Sequence, residues 1–224
     1  IPVLFLSFQA VIMNITHFCY GLGSSLAQKF SGVMLYNGTT WRQIYLYIAI
    51  SAFILLILFV FVKIPQTHKM DYKVSIGLKD ICHDKLIYYY VFALGFYVFA
   101  EMGTGNWFVN FMEKVYNYNK SQSSSYVALF FAVFAIGRLL GGFVVQKFGY
   151  VNTVEISMVM AVVMYTTGIA LGEKGLILIA LAGLFFSITY PTLILSVSTI
   201  FKQSSLYITG VIITFCSLTS TILN

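Results

Sequence analysis

The sequence predicts an all-α, polytopic membrane protein. Of its 224 residues, 59% are apolar and only 9% carry a charge, whereas soluble domains carry about 25% charged residues. A soluble fold could not keep such a surface wetted, so the bilayer is the expected solvent. The apolar residues also fall in runs of about 20, the length that a helix needs to cross a hydrocarbon core of roughly 30 Å.

These runs predict about seven transmembrane helices, joined by short connections except for one longer segment. Their approximate bounds are 11–36, 43–64, 88–112, 124–148, 152–171, 175–201 and 206–223. Residues 1–9 are too few to span alone. The chain begins without Met and ends within an apolar run, so we expect a fragment of a longer protein.

The long connection, residues 65–85, divides the chain. It holds four lysines and directly follows Lys63 and Ile64, and cytoplasmic loops are enriched in Lys and Arg. We therefore predict three parts: residues 1–64 as the end of an N-terminal helical bundle, 65–85 as a cytoplasmic central loop, and 86–224 as a C-terminal bundle. A basic linker between two bundles is typical of a two-halved transporter.

Other classes of site receive little support. The net charge of +6 comes from scattered basic residues, so no nucleic-acid partner is expected. Three cysteines in mostly apolar surroundings predict no disulfide framework. The run Cys82-His83-Asp84 lacks a second pair of ligands, so we expect neither a metal site nor a cofactor.

An acid lies inside the third predicted helix. Glu101 is surrounded by apolar residues, and an ionisable group at membrane depth usually faces a cavity or a partner. Tyr97, Thr104 and Phe108 share its helix face by the three-to-four spacing. We take Glu101 as a candidate for proton coupling; the alternative is that it pairs with a neighbouring helix and only locks the bundle.

Polar residues follow Glu101 on the same predicted helix. Gly103 and Gly105 weaken the helix, which predicts a local break that turns Asn106 and Asn110 toward the cavity of Glu101. Trp107 offers a flat apolar face with a donor, suited to stacking on a sugar ring. Asn106, Trp107 and Asn110 are thus candidate substrate-binding residues; ordinary interhelical hydrogen bonding is the alternative.

Two later helices carry further candidates. Gly137 and Gly141 are spaced for close helix contact, and Arg138 between them is assigned a gating or structural role. Pro191 cannot donate to the carbonyl of residue 187, which predicts a kink. Tyr190 at that bend is a candidate for the binding wall, with a simple packing kink as the alternative.

Four stretches together resemble the major facilitator superfamily, and within it the fucose–galactose–gluconate proton symporter group, the fucose permease-like proteins. They are residues 101–107 (EMGTGNW), 137–142 (GRLLGG), 183–192 (GLFFSITYPT) and 14–23 (NITHFCYGLG). The resemblance implies that the predicted spans are helices 5–11 of a twelve-helix fold. It also implies alternating access, with a sugar moved together with a proton.

The resulting hypothesis is a secondary active transporter, not an enzyme. It moves a small polar solute, a sugar, by proton symport. Its expected partners are that solute, the proton, the lipid bilayer and the missing N-terminal helices of the same protein, in a bacterial inner or plasma membrane. The alternatives are a transporter of a non-sugar solute and a seven-helix receptor; the receptor motifs Asp-Arg-Tyr and Asn-Pro-x-x-Tyr are absent from the sequence.

Overall fold

The computed structural model describes residues 9–62, 83–201 and 204–223, and their side chains from residue 16 onward. Within these ranges all the regular elements are helices. They are α1 (Gln9–Tyr36), α2 (Trp41–Phe61), α3 (Lys85–Tyr116), α4 (Lys120–Phe148), α5 (Tyr150–Ala170), a 3₁₀ turn (Gly172–Gly175), α6 (Leu176–Leu181), α7 (Gly183–Phe201) and α8 (Ser205–Leu223). The predicted all-α class is confirmed. Most of the predicted loop 65–85 lies outside the described residues.

Six helical segments of the described chain are long and apolar enough to cross a membrane: α2, α3, α4, α5, the stretch Gly172–Phe201, and α8. The sequence predicted about seven. The remaining helix, α1, has 28 residues, but residues such as Ser24, Ser25, Gln28 and Lys29 lower its hydropathy. Polar residues in α1 therefore have to be satisfied by contacts with other helices.

Short polar caps begin three of these helices. The Thr40 side chain accepts from the backbone N–H of Gln43 at the start of α2, and Asn119 caps α4 through Gln122 in the same way. Asp84 accepts from the N–H of residue 86 at the start of α3. Each cap satisfies a backbone donor that the helix itself cannot pair, and it does so next to the apolar segment that begins there.

The helices after residue 83 pack around two apolar clusters. The larger one joins α3, α4, α5, α6 and α7, and its centre is a group of stacked and edge-on rings. These are Tyr97, Phe130, Phe131, Phe134 and Phe186. The second cluster joins α3, α7 and α8 through Leu94, Val197, Ile208 and Ile212, among others. Between them the two clusters fix α3 against α7.

The predicted polar face of α3 is confirmed, but the predicted break in it is wrong. Tyr97, Glu101, Thr104 and Phe108 are all buried on one side of the helix. The helix is continuous from Lys85 to Tyr116. A Cβ at Gly105 would lie only 3.2 Å from the ring of Phe131, so this glycine permits close packing rather than a bend.

Small residues set the distance between α4 and α7, as the sequence predicted. A Cβ at Gly137 would overlap the Ser187 hydroxyl and lie 2.8 Å from the Leu184 carbonyl oxygen. Gly183 in turn faces the backbone of Phe130. The predicted helix 175–201 is divided at Ala182 into α6 and α7, and α7 continues through Pro191.

We expect Gly137→Ala to destabilise the protein by about 1–3 kcal/mol, because the added methyl has no room between α4 and α7. The matched control is Gly210→Ala in α8, where a Cβ meets nothing within 4 Å. In thermal denaturation in detergent, Gly137→Ala should have a lower midpoint than the unmodified protein, and Gly210→Ala should not. Equal midpoints for the two variants would contradict the close α4–α7 contact.

Candidate functional site

α1 packs lengthwise against α4 along a seam of small residues. A Cβ at Gly21 would lie 2.9 Å from that of Ala135, and one at Gly32 would overlap the Ser124 side chain. Between them, the Ser25 hydroxyl donates to the Ala128 carbonyl at 2.7 Å. The predicted loop 65–85 separates these two helices in sequence, so the seam joins the part of the chain before that loop to the part after it.

At one end of the seam lies a cavity of about 290 Å³. Five helices contribute to its wall, so neither part of the chain encloses it alone. Its lining residues are His17 and Tyr20 from α1, Val98, Glu101 and Met102 from α3, Arg138 from α4, Tyr190 from α7, and Cys216 and Ser217 from α8.

Two charged side chains of opposite sign face this cavity. Glu101 is 4% exposed and Arg138 is 5% exposed, and the two interact electrostatically. A buried charge is tolerated only when a countercharge and hydrogen-bond partners compensate for the lost water. Glu101 and Arg138 therefore stabilise one another at a depth where either alone would be costly.

Arg138 also reaches across the seam to α1. Its Nη1 lies 3.3 Å from Nδ1 of His17 and 3.4 Å from the His17 carbonyl oxygen. Its guanidinium stacks 4.2 Å from the ring of Phe134 and 5.5 Å from that of Tyr20. Among the described residues, the Arg138 Nε is buried without a hydrogen-bond partner.

Tyrosines connect the charged pair to α7. The Tyr97 hydroxyl donates to the Phe186 carbonyl at 2.8 Å and also interacts with Glu101. The ring of Tyr97 lies 6.3 Å from that of Tyr190, which meets His17 edge-on at 6.5 Å. The cavity thus combines aromatic faces, an acid, a guanidinium and hydroxyl groups, the chemistry of a site for a small polar ligand.

The structure brings together some of the predicted site residues and separates others. Glu101, Arg138 and Tyr190 line the same cavity. Pro191 lies within α7 directly after Tyr190 and is not among the lining residues. Asn106 and Asn110 are exposed, and Asn106 stands about 40° around α3 from Met102, so it continues the cavity-facing side of the helix.

Trp107 has a different position. It is 56% exposed and stands about 140° around α3 from Met102, outside the lining of the cavity. Its assignment to the substrate stays a prediction.

Sequence reasoning left Tyr20, Cys216 and Ser217 unassigned. Nothing local distinguishes them, because they belong to the site only through the packing of α1 and α8. His17 had a usable signal, an imidazole inside an apolar helix.

Two other cavities are larger but chemically poorer. One, of about 320 Å³, lies between α4, α5 and α7, and the other, of about 420 Å³, lies between α3, α5 and α7. Their walls are almost wholly apolar, and neither contains a buried charge. Size alone therefore does not identify the site; the buried charges do.

The sequence profile of the Major Facilitator Superfamily matches residues 7–223. The chain belongs to this superfamily. The superfamily assignment agrees with the membrane-length helices and with a cavity built between helices from both sides of the long loop. The members of this superfamily are transporters and not enzymes.

Individual proteins are also similar to this chain. Two of them, from Helicobacter pylori, are each named "Putative glucose/galactose transporter". The one from strain 26695 is 26% identical over 66% of this chain and 37% of its own length. The one from strain J99 is 22% identical over 77% of this chain and 46% of its own length. "Bypass of stop codon protein 6" of Saccharomyces cerevisiae is 33% identical over 34% of this chain and 15% of its own length.

The chain therefore spans less than half the length of either Helicobacter relative. No solved structure matches it. The resemblance to the major facilitator superfamily, read from the sequence motifs, is confirmed.

We expect Arg138→Gln to lower the stability of the protein by about 3 kcal/mol, since it leaves the Glu101 carboxyl buried without a countercharge. The double variant Glu101→Gln, Arg138→Gln should recover part of this loss. Denaturation in detergent measures the stability of the single and the double variant. Lys147→Gln is the control, because Lys147 is an exposed cation on the same helix. A double variant no more stable than Arg138→Gln alone would contradict the coupling of the two charges.

Proposed function

We propose that the chain is the later part of a proton-coupled sugar transporter that works by alternating access. The observation that carries this proposal is the cavity shared by α1 and the α3–α8 bundle, with Glu101 and Arg138 buried in its wall. A hollow at membrane depth, bordered by both parts of the chain, is where a major facilitator protein would hold its solute.

The size and lining of the cavity support a monosaccharide as the solute. About 290 Å³ lies at the small end of the range of roughly 300–1,000 Å³ for ligand sites. Tyr20 and Tyr190 offer rings for the apolar face of a sugar. The Arg138 guanidinium and the hydroxyl of Ser217, which also line the cavity, suit its hydroxyl groups. The names of the two Helicobacter relatives support a hexose such as glucose or galactose.

Glu101 is the proposed proton-coupling group. A carboxyl that lies at membrane depth and also borders a cavity can exchange a proton with whichever side the cavity opens to. Arg138 is the proposed gating residue, because its guanidinium interacts electrostatically with Glu101 within the α3–α8 bundle and contacts His17 on α1. Any rocking of the two parts of the chain changes the second contact.

The remaining helices of the transporter complete the site. α2 buries no residue within the described chain although it is long and apolar. We propose that the N-terminal helices of the same protein cover it, which fits the fraction of the relatives that the chain spans. They would also stand opposite Asn106 and Asn110, which then face the solute path. Tyr190, directly before Pro191, lines the other wall.

Uptake into proteoliposomes containing the complete transporter tests this proposal. We expect D-galactose or D-glucose to accumulate under an inward proton gradient, and we expect a protonophore to abolish that accumulation. Glu101→Gln should lose accumulation yet keep exchange of labelled for unlabelled sugar, since exchange needs no net proton movement. Glu155→Gln, an exposed acid on α5, is the control.

Undiminished proton-driven uptake by Glu101→Gln would remove Glu101 from the coupling step. Failure of all monosaccharides, with uptake of another small solute, would leave a transporter but exclude the sugar assignment.

A thermal-shift measurement in detergent separates the proposed contacts. We expect galactose or glucose to raise the melting temperature of the complete protein, and we expect Tyr190→Ala to abolish the shift, because this ring lines the cavity. Loss of the shift in Trp107→Ala as well would place the indole in the solute path. Retention of the full shift in Tyr190→Ala would contradict the cavity as the binding site.

A further inference from the structure

The Tyr97 hydroxyl occupies a position that the proposed function does not yet use. Tyr97 is 3% exposed and lies one helical turn before Glu101 on the same face of α3. Its hydroxyl donates to the Phe186 carbonyl of α7 at 2.8 Å. The Glu101 carboxyl and the Arg138 guanidinium are the other polar partners of the same hydroxyl. One hydroxyl proton therefore has two competing acceptors, one on α7 and one on α3.

The protonation of Glu101 decides which acceptor is better. A hydroxyl has one proton to donate and lone pairs that accept. A protonated Glu101 can donate to the Tyr97 oxygen, and Tyr97 then keeps its bond to Phe186. An ionised Glu101 can only accept, and a bond to a carboxylate is stronger than one to a neutral carbonyl. Loss of the proton from Glu101 thus draws the Tyr97 hydroxyl away from α7.

The acceptor on α7 lies in a turn that is already short of a backbone hydrogen bond. Pro191 has no N–H to donate to the Ser187 carbonyl, the neighbour of the Phe186 carbonyl in the same turn. The bond from Tyr97 is a restraint on this turn from another helix. Tyr190, which the turn carries, packs on the Tyr97 ring and lines the cavity.

We propose that the Tyr97 hydroxyl is a two-position switch that passes the protonation state of Glu101 to the Pro191 turn of α7 and so to the cavity wall at Tyr190. Tyr97 is a positioning residue in this scheme, and the inference rests on the proposed coupling role of Glu101. The other titratable or charged groups that face Glu101 come from each helix around it. They are His17 and Tyr20 from α1, Arg138 from α4, Tyr190 from α7 and Cys216 from α8.

The experiment compares two tyrosines of the same helix. Tyr97→Phe removes only the switching hydroxyl. Tyr90→Phe is the matched control, because Tyr90 is also buried on α3 and its hydroxyl also bonds to α7, through Ser196 Oγ at 2.6 Å. Initial rates and final accumulation of labelled galactose are measured in proteoliposomes of the complete transporter from pH 5 to pH 9.

We expect Tyr97→Phe to move the pH of half-maximal uptake upward by about one unit, which corresponds to one lost hydrogen bond to a charged group. The direction follows because the ionised Glu101 loses a donor and the protonated form loses less. Accumulation should fall, because it depends on net proton movement. The rate of exchange, which does not, should stay within about twofold of wild type, a difference of about 0.4 kcal/mol. Tyr90→Phe should match wild type in all three measurements.

A second measurement does not require the Tyr97 variant to fold. Infrared difference spectra of the wild-type protein between acidic and alkaline pH should show a carboxylic C=O component and a tyrosine C–O band that change together. In Glu101→Gln that C=O component and the tyrosine change should both be absent, while the bands of the other carboxyls remain. A carboxyl band that titrates without a tyrosine change would overturn the switch. So would a wild-type pH profile in Tyr97→Phe, or an equal shift in Tyr90→Phe.

These outcomes separate the switch from the function it serves. Undiminished accumulation by Glu101→Gln would overturn the coupling role of Glu101 and the switch with it. A wild-type profile in Tyr97→Phe beside a defective Glu101→Gln would overturn the switch alone.

Discussion

The structure depends on keeping two opposite charges at a depth where water cannot solvate them. Glu101 and Arg138 are both more than nine-tenths buried, and either charge alone would carry a desolvation cost of several kcal/mol. The surrounding residues compensate for this cost in different ways. Phe134 and Tyr20 offer ring faces to the cation, His17 offers two acceptors, and the Tyr97 hydroxyl interacts with the acid. The cavity beside both side chains also has room for a polar ligand.

Close helix contact is what makes this compensation possible. In lipid the hydrophobic effect does not drive helices together, so packing of small residues has to do so. The seam at Gly21 and Gly32 brings α1 against α4, and Gly137 brings α4 against α7. Only at these short distances can His17, on the other side of a long loop, contact Arg138. The glycines that appear structural therefore determine the electrostatics of the site.

The sequence predicted most of the fold because each membrane helix is determined by its own run of apolar residues. Runs of apolar residues predicted the spans, and the spacing of Tyr97, Glu101, Thr104 and Phe108 predicted the buried face of α3. The break at Gly103 and Gly105 was predicted wrongly, because helix propensity measured in water says little where the bilayer forces backbone groups to bond within the helix. A glycine there can instead admit a neighbouring ring.

The site was predictable only in part, for a related reason. Glu101, Arg138 and Tyr190 each carry a local signal: a charge in an apolar helix, or an aromatic residue beside a proline. The residues that complete the cavity do not. Tyr20 and Cys216 look like ordinary membrane residues, and only the seam between α1 and α4 and the packing of α8 bring them to the acid. Which helices meet is a long-range property that no short stretch encodes.

The same geometry limits how much any single contact can contribute to coupling. A ligand shifts a two-state equilibrium only through its difference in affinity for the two states, and moving from 1:99 to 99:1 requires about 5.5 kcal/mol. One hydrogen bond, such as the proposed one from Tyr97 to an ionised carboxyl, supplies roughly a quarter to a half of this. The rest has to come from groups whose partners change when the bundles move. In the proposed mechanism Arg138 is such a group, because it interacts electrostatically with the acid on one side of the α1–α4 seam and contacts His17 on the other. Under the proposed function, proton binding at Glu101 and the α1–α4 contact then contribute to the same free energy, so a change in one alters the other.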